Sequence, residues 1–224
     1  MEDEVKIYER LNLQKRFIFS KKPKSIKGFF LAEEKVIKNL GKIEDYVLDA
    51  GCGSGRHLKL VSNNIKIGIG IDYDSQAIKE AQRNNKGIKN LKFYIANIYD
   101  IPFPDNLFGV ILCLNHTFGN LLKHKPAIKE MLRVLKPNGK IIITVHNDKI
   151  KDDKIAWYKK CGLKNPIYSD KFGAVITGEK FCSYCFKKNY LSNLFRQFKN
   201  VSFTISDLTP YSFLCTLHKK KRPS

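Results

Sequence analysis

Between Asp49 and Asp72 the chain sets two carboxylates around a run of alternate glycines: DAGCGSG at 49–55, then GIDYD at 70–74. Gly51, Gly53 and Gly55 let a backbone approach a ligand that a Cβ would hold off. They also supply the positive φ that such a turn demands. Asp72 falls where a second strand should end. A carboxylate there can accept from both hydroxyls of a ribose, a task for which an acid is better suited than an amide. A dinucleotide loop, GxGxxG, would need its third glycine at 56; the chain has Arg56 there and Gly55 one place earlier.

The elements that must hold these residues follow from hydrophobic patterning. Nearly continuous apolar runs predict strands at 45–50, 66–71, 91–96, 108–114 and 140–146, with helical stretches at 55–62, 75–85 and 126–135. Such strands are buried on both faces, so the pattern predicts a doubly wound α/β fold with right-handed crossovers. The first amides of the helix after the glycine loop have no internal partners and point into the crevice.

Two helices are expected ahead of the first strand. One, at 3–16, carries Val5, Tyr8, Leu11 and Leu13; the other, capped by Ser25 and stopped by Gly41, carries Phe29, Phe30, Ala32, Val36, Ile37 and Leu40. Both lie outside the repeating unit, where they could cover the crevice. After 146 come a charged helix at 148–161 and two extended segments, FGAVIT and KFCSYCF, turning at Gly178-Glu179. A helix with Leu191, Leu194 and Phe195 on one face follows. The runs 201–206 and 211–218 then form an antiparallel hairpin, since the link with Pro210 is too short for a crossover. The organisation expected is one domain: a cap at 1–44, a cofactor-binding core at 45–146 and a C-terminal part at 147–224.

The 224 residues carry 41 Lys and Arg against 21 Asp and Glu, a formal charge of +20. Lys15 to Lys27 and the tail from Lys219 to Arg222 are its denser places. Such a field would attract phosphate backbones, but the excess is mostly Lys and matches equally a solvated lysine-rich surface. No apolar run reaches the roughly 18–20 residues of a membrane span, and the acidic N-terminus has no h-region, so a soluble cytoplasmic protein is expected. Of six cysteines only Cys182 and Cys185 have metal-like spacing. With no second pair they read as half-buried small residues, and no metal is called for.

VLDAGCGSG, GIDYD, ANIYDIPFPDNLFGVILCLNHTFGNL and MLRVLKPNGKIIITV, in that order over residues 45–146, closely resemble the class I S-adenosylmethionine-dependent methyltransferases. The resemblance implies a Rossmann-like, mostly parallel seven-stranded sheet with an antiparallel C-terminal hairpin. It implies S-adenosyl-L-methionine as cofactor, with Asp49, Gly51, Cys52 and Gly53 against its methionine part. By the same resemblance Asp72 takes the ribose, Tyr73 lines the adenine, and Asn97 and Ile98 meet the adenine edge. Two positions depart from the family pattern. Asn97 stands where aspartate is usual, and its carbonyl can still accept from an amine; Gly109 stands where aspartate commonly follows phenylalanine.

The segment Leu114-Asn115-His116-Thr117-Phe118 ends the fourth strand, where the resemblance puts the reacting methyl group and the acceptor. Methyl transfer is an in-line displacement, so the protein aligns the nucleophile and accommodates its proton. Asn115 and His116 are the candidate catalytic residues; His146, at the end of the fifth strand, points toward the same mouth. The acceptor is open at this point. A small molecule fits a compact chain with no RNA-binding module, RNA (tRNA above all) fits the charge, and a non-catalytic cofactor-binding subunit is the third reading. The aromatics Phe181, Tyr184, Phe186 and Phe195 could stack bases or fill the core.

Overall fold

A computed structural model describes residues 7, 10–13, 16, 17 and 20–221. In chain order, α1 (Lys24–Lys38) precedes β1 (Ile43–Ala50), α2 (Arg56–Val61) leads to β2 (Ile65–Asp72), and α3 (Ser75–Asn84) leads to β3 (Leu91–Ile95). β4 (Phe108–Cys113), α4 (His124–Val134) and β5 (Leu135–His146) complete the alternation. Beyond it lie α5 (Lys151–Lys160), three short strands β6 (Ile167–Ser169), β7 (Ala174–Ile176) and β8 (Cys182–Tyr184), then α6 (Lys188–Phe195), β9 (Val201–Thr209) and β10 (Ser212–Lys219).

The main sheet has seven strands in the order β3-β2-β1-β4-β5-β10-β9. β1 to β5 are parallel, and the closing pair β9 and β10 is antiparallel, as expected. Each face of the sheet is covered. Ile37, Leu58, Val61, Ile78 and Ala81, from α1 to α3, pack on one side against Val47, Val110 and Ile142. Ala127, Ile128, Met131, Leu191 and Phe195, from α4 and α6, pack on the other against Leu48, Ile111 and Ile143. Both faces being apolar explains the unbroken strand patterns. β6, β7 and β8 form a separate antiparallel sheet. With α5 and the described N-terminal residues it makes a third cluster, holding Leu13, Ile26, Trp157, Tyr158 and Phe181.

Several boundaries differ from expectation for local reasons. β5 begins at Leu135 rather than at 140, because Leu135 already pairs with Phe108 of β4; residues 136–139 then bulge out of the ladder, with Asn138 at φ 64°, before Lys140 pairs with Val110. Ser25 does not cap α1. The helix starts at Lys24 after Pro23, and the Ser25 hydroxyl instead donates to the Asp153 carboxylate of α5. The helix read at 3–16 lies mostly outside the described residues, Val5 and Tyr8 included, while Leu11 and Leu13 are buried. Arg222 of the tail also lies outside them. Phe181, Phe186 and Phe195 are buried; Phe186 and Phe195 belong to the core under the sheet, while Phe181 also lines the cavity. No helix among the described residues is long and apolar enough to cross a membrane.

Candidate active site

From β1 the chain steps outward to β2 and β3, then returns to lay β4 on the other side of β1. The crevice at such a switch point opens at the carboxyl ends of β1 and β4. The glycine loop lines it. Gly51, Gly53 and Gly55 have φ of 80°, 51° and 77°, the left-handed values that glycine takes without strain. Gly51 and Cys52 donate their amides to the Ile71 carbonyl at 2.8 and 2.9 Å, which ties the loop to the end of β2. A Cβ on Gly51 would be driven into the side chain of Thr117.

Asp72 accepts from the Gly53 amide at 2.9 Å and from the Asp74 amide at 3.0 Å. Each oxygen keeps a lone pair for a ligand. Burial pushes its carboxyl up to about 6, against the lowering effect of those two amides.

A cavity of about 580 Å³ runs from this loop to the roof made by α1 and α5. Gly51, Cys52, Gly53, Asp72, Tyr73, Ile98, Asn115, His116 and His146 all line it, so most of the residues singled out in the sequence converge. Three do not reach its wall. Asp49 and Leu114 are buried, and Asn97 turns its carbonyl to the Tyr99 amide at 2.9 Å. Ile26, Phe29 and Phe30 of α1 close the far side with Trp157, Tyr158 and Phe181.

One residue that the sequence reading passed over organises the floor. Glu33 of α1 is fully buried. Its carboxylate accepts from the Asn115 amide at 2.6 Å and the Thr144 hydroxyl at 2.5 Å, and it meets His57 Nε2 at 3.0 Å. His57 Nδ1 lies 3.6 Å from Asp49 Oδ2, an ion-pair distance too long for a hydrogen bond. Burial opposes a charge on His57, but Glu33 and Asp49 together outweigh it and hold the imidazole at about 9. Burial likewise opposes the Glu33 charge, yet His57, Thr144 and Asn115 hold that carboxyl below its usual value. Arg56 adds a second cation, 3.4 Å from Glu33 and 2.5 Å from Glu34. Both oxygens of Asp49 lack a hydrogen-bond partner.

On the opposite side of Asn115 the chain takes an unusual turn. Asn115 and His116 both have positive φ, 53° and 61°. Positive φ is uncommon outside glycine, although asparagine and histidine are among the residues that adopt it most readily. His116 Nδ1 accepts from the His146 amide at 2.9 Å, and its Nε2 lies 2.8 Å from Nζ of Lys154, a fully buried lysine of α5. The two imidazoles stack with centroids 4.2 Å apart. Both ring nitrogens of His146 are without partners, and its edge meets the Phe29 ring at 4.5 Å. Burial drives both histidines well below their usual value.

Residues 48–143 match the family model described as a methyltransferase domain. Over that stretch the chain is similar to the class I S-adenosylmethionine-dependent methyltransferases. The ubiquinone/menaquinone biosynthesis C-methyltransferase UbiE of Rickettsia bellii is 31% identical over 162 residues, 67% of this chain and 62% of that protein. The uncharacterized methyltransferase YcgJ of Bacillus subtilis is 31% identical over 109 residues, 47% of this chain and 42% of that one. The chain thus spans about half the length of these curated relatives. Its fold is similar to that of the solved YcgJ protein (TM-score 0.64, 17% identity, 86% and 100% of the two chains). It also resembles the PH0226 protein of Pyrococcus horikoshii (TM-score 0.69, 20%, 88% and 92%).

The family's methyl donor suits the residues present. Asp72 lines the cavity and keeps two lone pairs free of protein donors, as a carboxylate that is to accept from ribose hydroxyls must. A cavity of this size lies within the roughly 300–1,000 Å³ of small-molecule sites.

Proposed function

We propose that this chain transfers the methyl group of S-adenosylmethionine to a small, largely apolar acceptor. The observation that carries the reading is the far wall of the cavity, built from Ile26, Phe29, Phe30, Trp157, Tyr158 and Phe181. Apolar and aromatic walls with few polar groups suit a flat organic molecule. Beside the end of β4 the lining turns polar, with Asn115, His116, Thr117 and Asn120, and His146 joins them from the end of β5. UbiE, whose name makes it a C-methyltransferase of quinone biosynthesis, supports an acceptor of this size.

Asp72 would hold the ribose hydroxyls, Tyr73 and Ile98 the adenine, and the turn at Gly51 to Gly53 the methionine part. Bound there, S-adenosylmethionine supplies a methyl group activated by the positive sulfur. The remaining work belongs to this chain. The aromatic roof fixes the acceptor in line and excludes water, and Asn115 and the histidines orient the nucleophilic atom and take its proton. Arg56, Lys22, Lys27 and Lys180 also line the cavity.

Calorimetry with S-adenosylmethionine and S-adenosylhomocysteine tests the donor half; Asp72→Ala should weaken both by tenfold or more. Tritiated S-adenosylmethionine incubated separately with an apolar metabolite extract and with total RNA tests the acceptor half. Label should enter the extract with little dependence on salt. Label in RNA, falling steeply as salt rises, would replace this reading with the nucleic-acid one.

A further inference from the structure

The proton inventory beneath the roof constrains charge more tightly than the composition does. His116 Nδ1 receives the His146 amide, so that nitrogen carries no hydrogen. A neutral imidazole then has its single hydrogen on Nε2, which points at Lys154 Nζ 2.8 Å away. An ammonium has three donors and no lone pair, so it would oppose N–H with N–H. An amine closes the circuit: its lone pair accepts Nε2–H, and its two hydrogens go to the Tyr184 carbonyl at 3.0 Å and the Ser183 carbonyl at 3.3 Å. Cys185 Sγ lies 3.7 Å away, the Tyr158 ring centroid 5.9 Å, and Cys182 is a further neighbour from β8.

Resting on the methyltransferase reading above, we propose that Lys154 is held as an uncharged amine that positions His116, and that His146 is the catalytic base of the cavity. Every hydrogen-bonding atom of the His116 ring is committed to the protein, whereas both nitrogens of the His146 ring are unpartnered and the residue lines the cavity. The stacked His116 ring on one side and the Phe29 edge on the other fix its plane.

The step balances simply. As a lone pair of the acceptor atom forms its bond to the methyl carbon, the carbon–sulfur bond breaks and its electrons remain on sulfur. The hydrogen leaves the acceptor atom as a proton, its bonding pair stays behind, and a lone pair of His146 takes the proton. Methylation makes that hydrogen far more acidic, so a weakly basic imidazole suffices. A cation at Lys154 would resist the new charge on His146, and the amine does not. The other groups facing the pair are Phe29 from α1, His146 itself from β5, and His124 from α4, which faces His116. Burial pushes His124 down to about 4, so it too is neutral. Burial also lowers Lys154, in agreement with the hydrogen-bond count.

The test uses the full chain labelled with nitrogen-15 in histidine and carbon-13 in lysine, titrated by magnetic resonance. At pH 7 His116 should be the neutral Nε2–H tautomer and Lys154 an amine, and Lys154→Met should leave the His146 titration unmoved. An ammonium at 154, the other tautomer at 116, or an upward shift of His146 in Lys154→Met overturns the charge assignment. For the base, His146→Asn should keep S-adenosylhomocysteine affinity within about twofold. It should lower label transfer to the metabolite extract about 100-fold or more, the usual worth of a positioned base. Transfer retained by His146→Asn overturns the base assignment. Wild-type protein that binds S-adenosylmethionine and labels nothing refutes the acceptor reading instead, and the resonance titration still decides the protonation states.

Discussion

The Glu33 carboxylate of α1 accepts a 2.5 Å hydrogen bond from the Thr144 hydroxyl of β5, 111 residues further along the chain, with both side chains fully buried. That bond fastens the cap to the centre of the sheet, and the Asn115 amide and His57 share the same carboxylate.

Glu33→Ala should therefore cost about 3–5 kcal/mol of stability, because it removes the buried carboxylate that the Asn115 amide, the Thr144 hydroxyl and His57 share. Thr144→Val removes one hydrogen bond and should cost about 1–3 kcal/mol. Urea denaturation checks both. A Glu33→Ala protein within about 1 kcal/mol of wild type would show that the cap is held by apolar packing alone.

The same cluster sets a pH window. His57 has its folded value raised to about 9 from 6.5, so its stabilisation is complete below about 6.5 and is lost as pH rises through 9. Glu33 is shifted down from 4.5, so its contribution is present above 4.5 and lost as pH falls further. This cluster's contribution to the melting temperature should accordingly be constant between about 4.5 and 6.5 and decline on the alkaline side. The alkaline decline should shrink in His57→Gln. An unchanged alkaline slope in that variant would assign the loss to other groups.

Cofactor affinity has a different dependence, set by Asp72. With its carboxyl at about 6, the group is an ion, and acceptor only, above that pH. S-adenosylhomocysteine should bind best from neutral pH upward and progressively less tightly as pH falls through 6. Asp72→Asn should bind weakly at every pH, with the acid-side decline removed. Calorimetry at pH 5, 6 and 8 separates these outcomes.

Gly109, which departs from the family pattern, has a structural counterpart. A Cβ there would lie 2.5 Å from Asp45 Oδ2 and 2.8 Å from its Cγ. Asp45 fills the space and pairs with Lys136 Nζ at 2.7 and 2.9 Å. Gly109→Ala should cost about 1–3 kcal/mol by overpacking, and Gly109→Asp more, since it sets two carboxylates together. The double change Gly109→Asp with Asp45→Gly should recover most of that loss, because one carboxylate again faces Lys136. Thermal melts of the three proteins give the answer; a double variant no better than Gly109→Asp would reject the exchange.

The donor side was legible because its residues act through local spacing. Asp72 sits one strand after a loop whose glycines need positive φ, and both facts are written in sequence. The keystone residues were not legible in that way. Glu33 and Lys154 lie in helices where charged side chains ordinarily face water, and only partners more than twenty residues distant reveal them as buried. Ser25 had the type of an N-cap but found a better partner in Asp153, and the start of β5 was hidden by Pro137 and Gly139. His116 lines the cavity, yet its committed nitrogens are visible only when β5 and α5 are set beside it.

The stretch matched by the family model, 48–143, contains the glycine loop, Asp72 and His116, while the cavity roof is assembled from residues before and after it. Inheritance can therefore treat the two halves of the chemistry separately. The middle of the gene is constrained by a donor common to the whole family. The flanks carry the acceptor wall, but also Glu33 and the strands β9 and β10 that complete the sheet. A graft that exchanges both flanks between relatives, with the middle untouched, must therefore bring its own buried partner for His57 and the Asn115 amide.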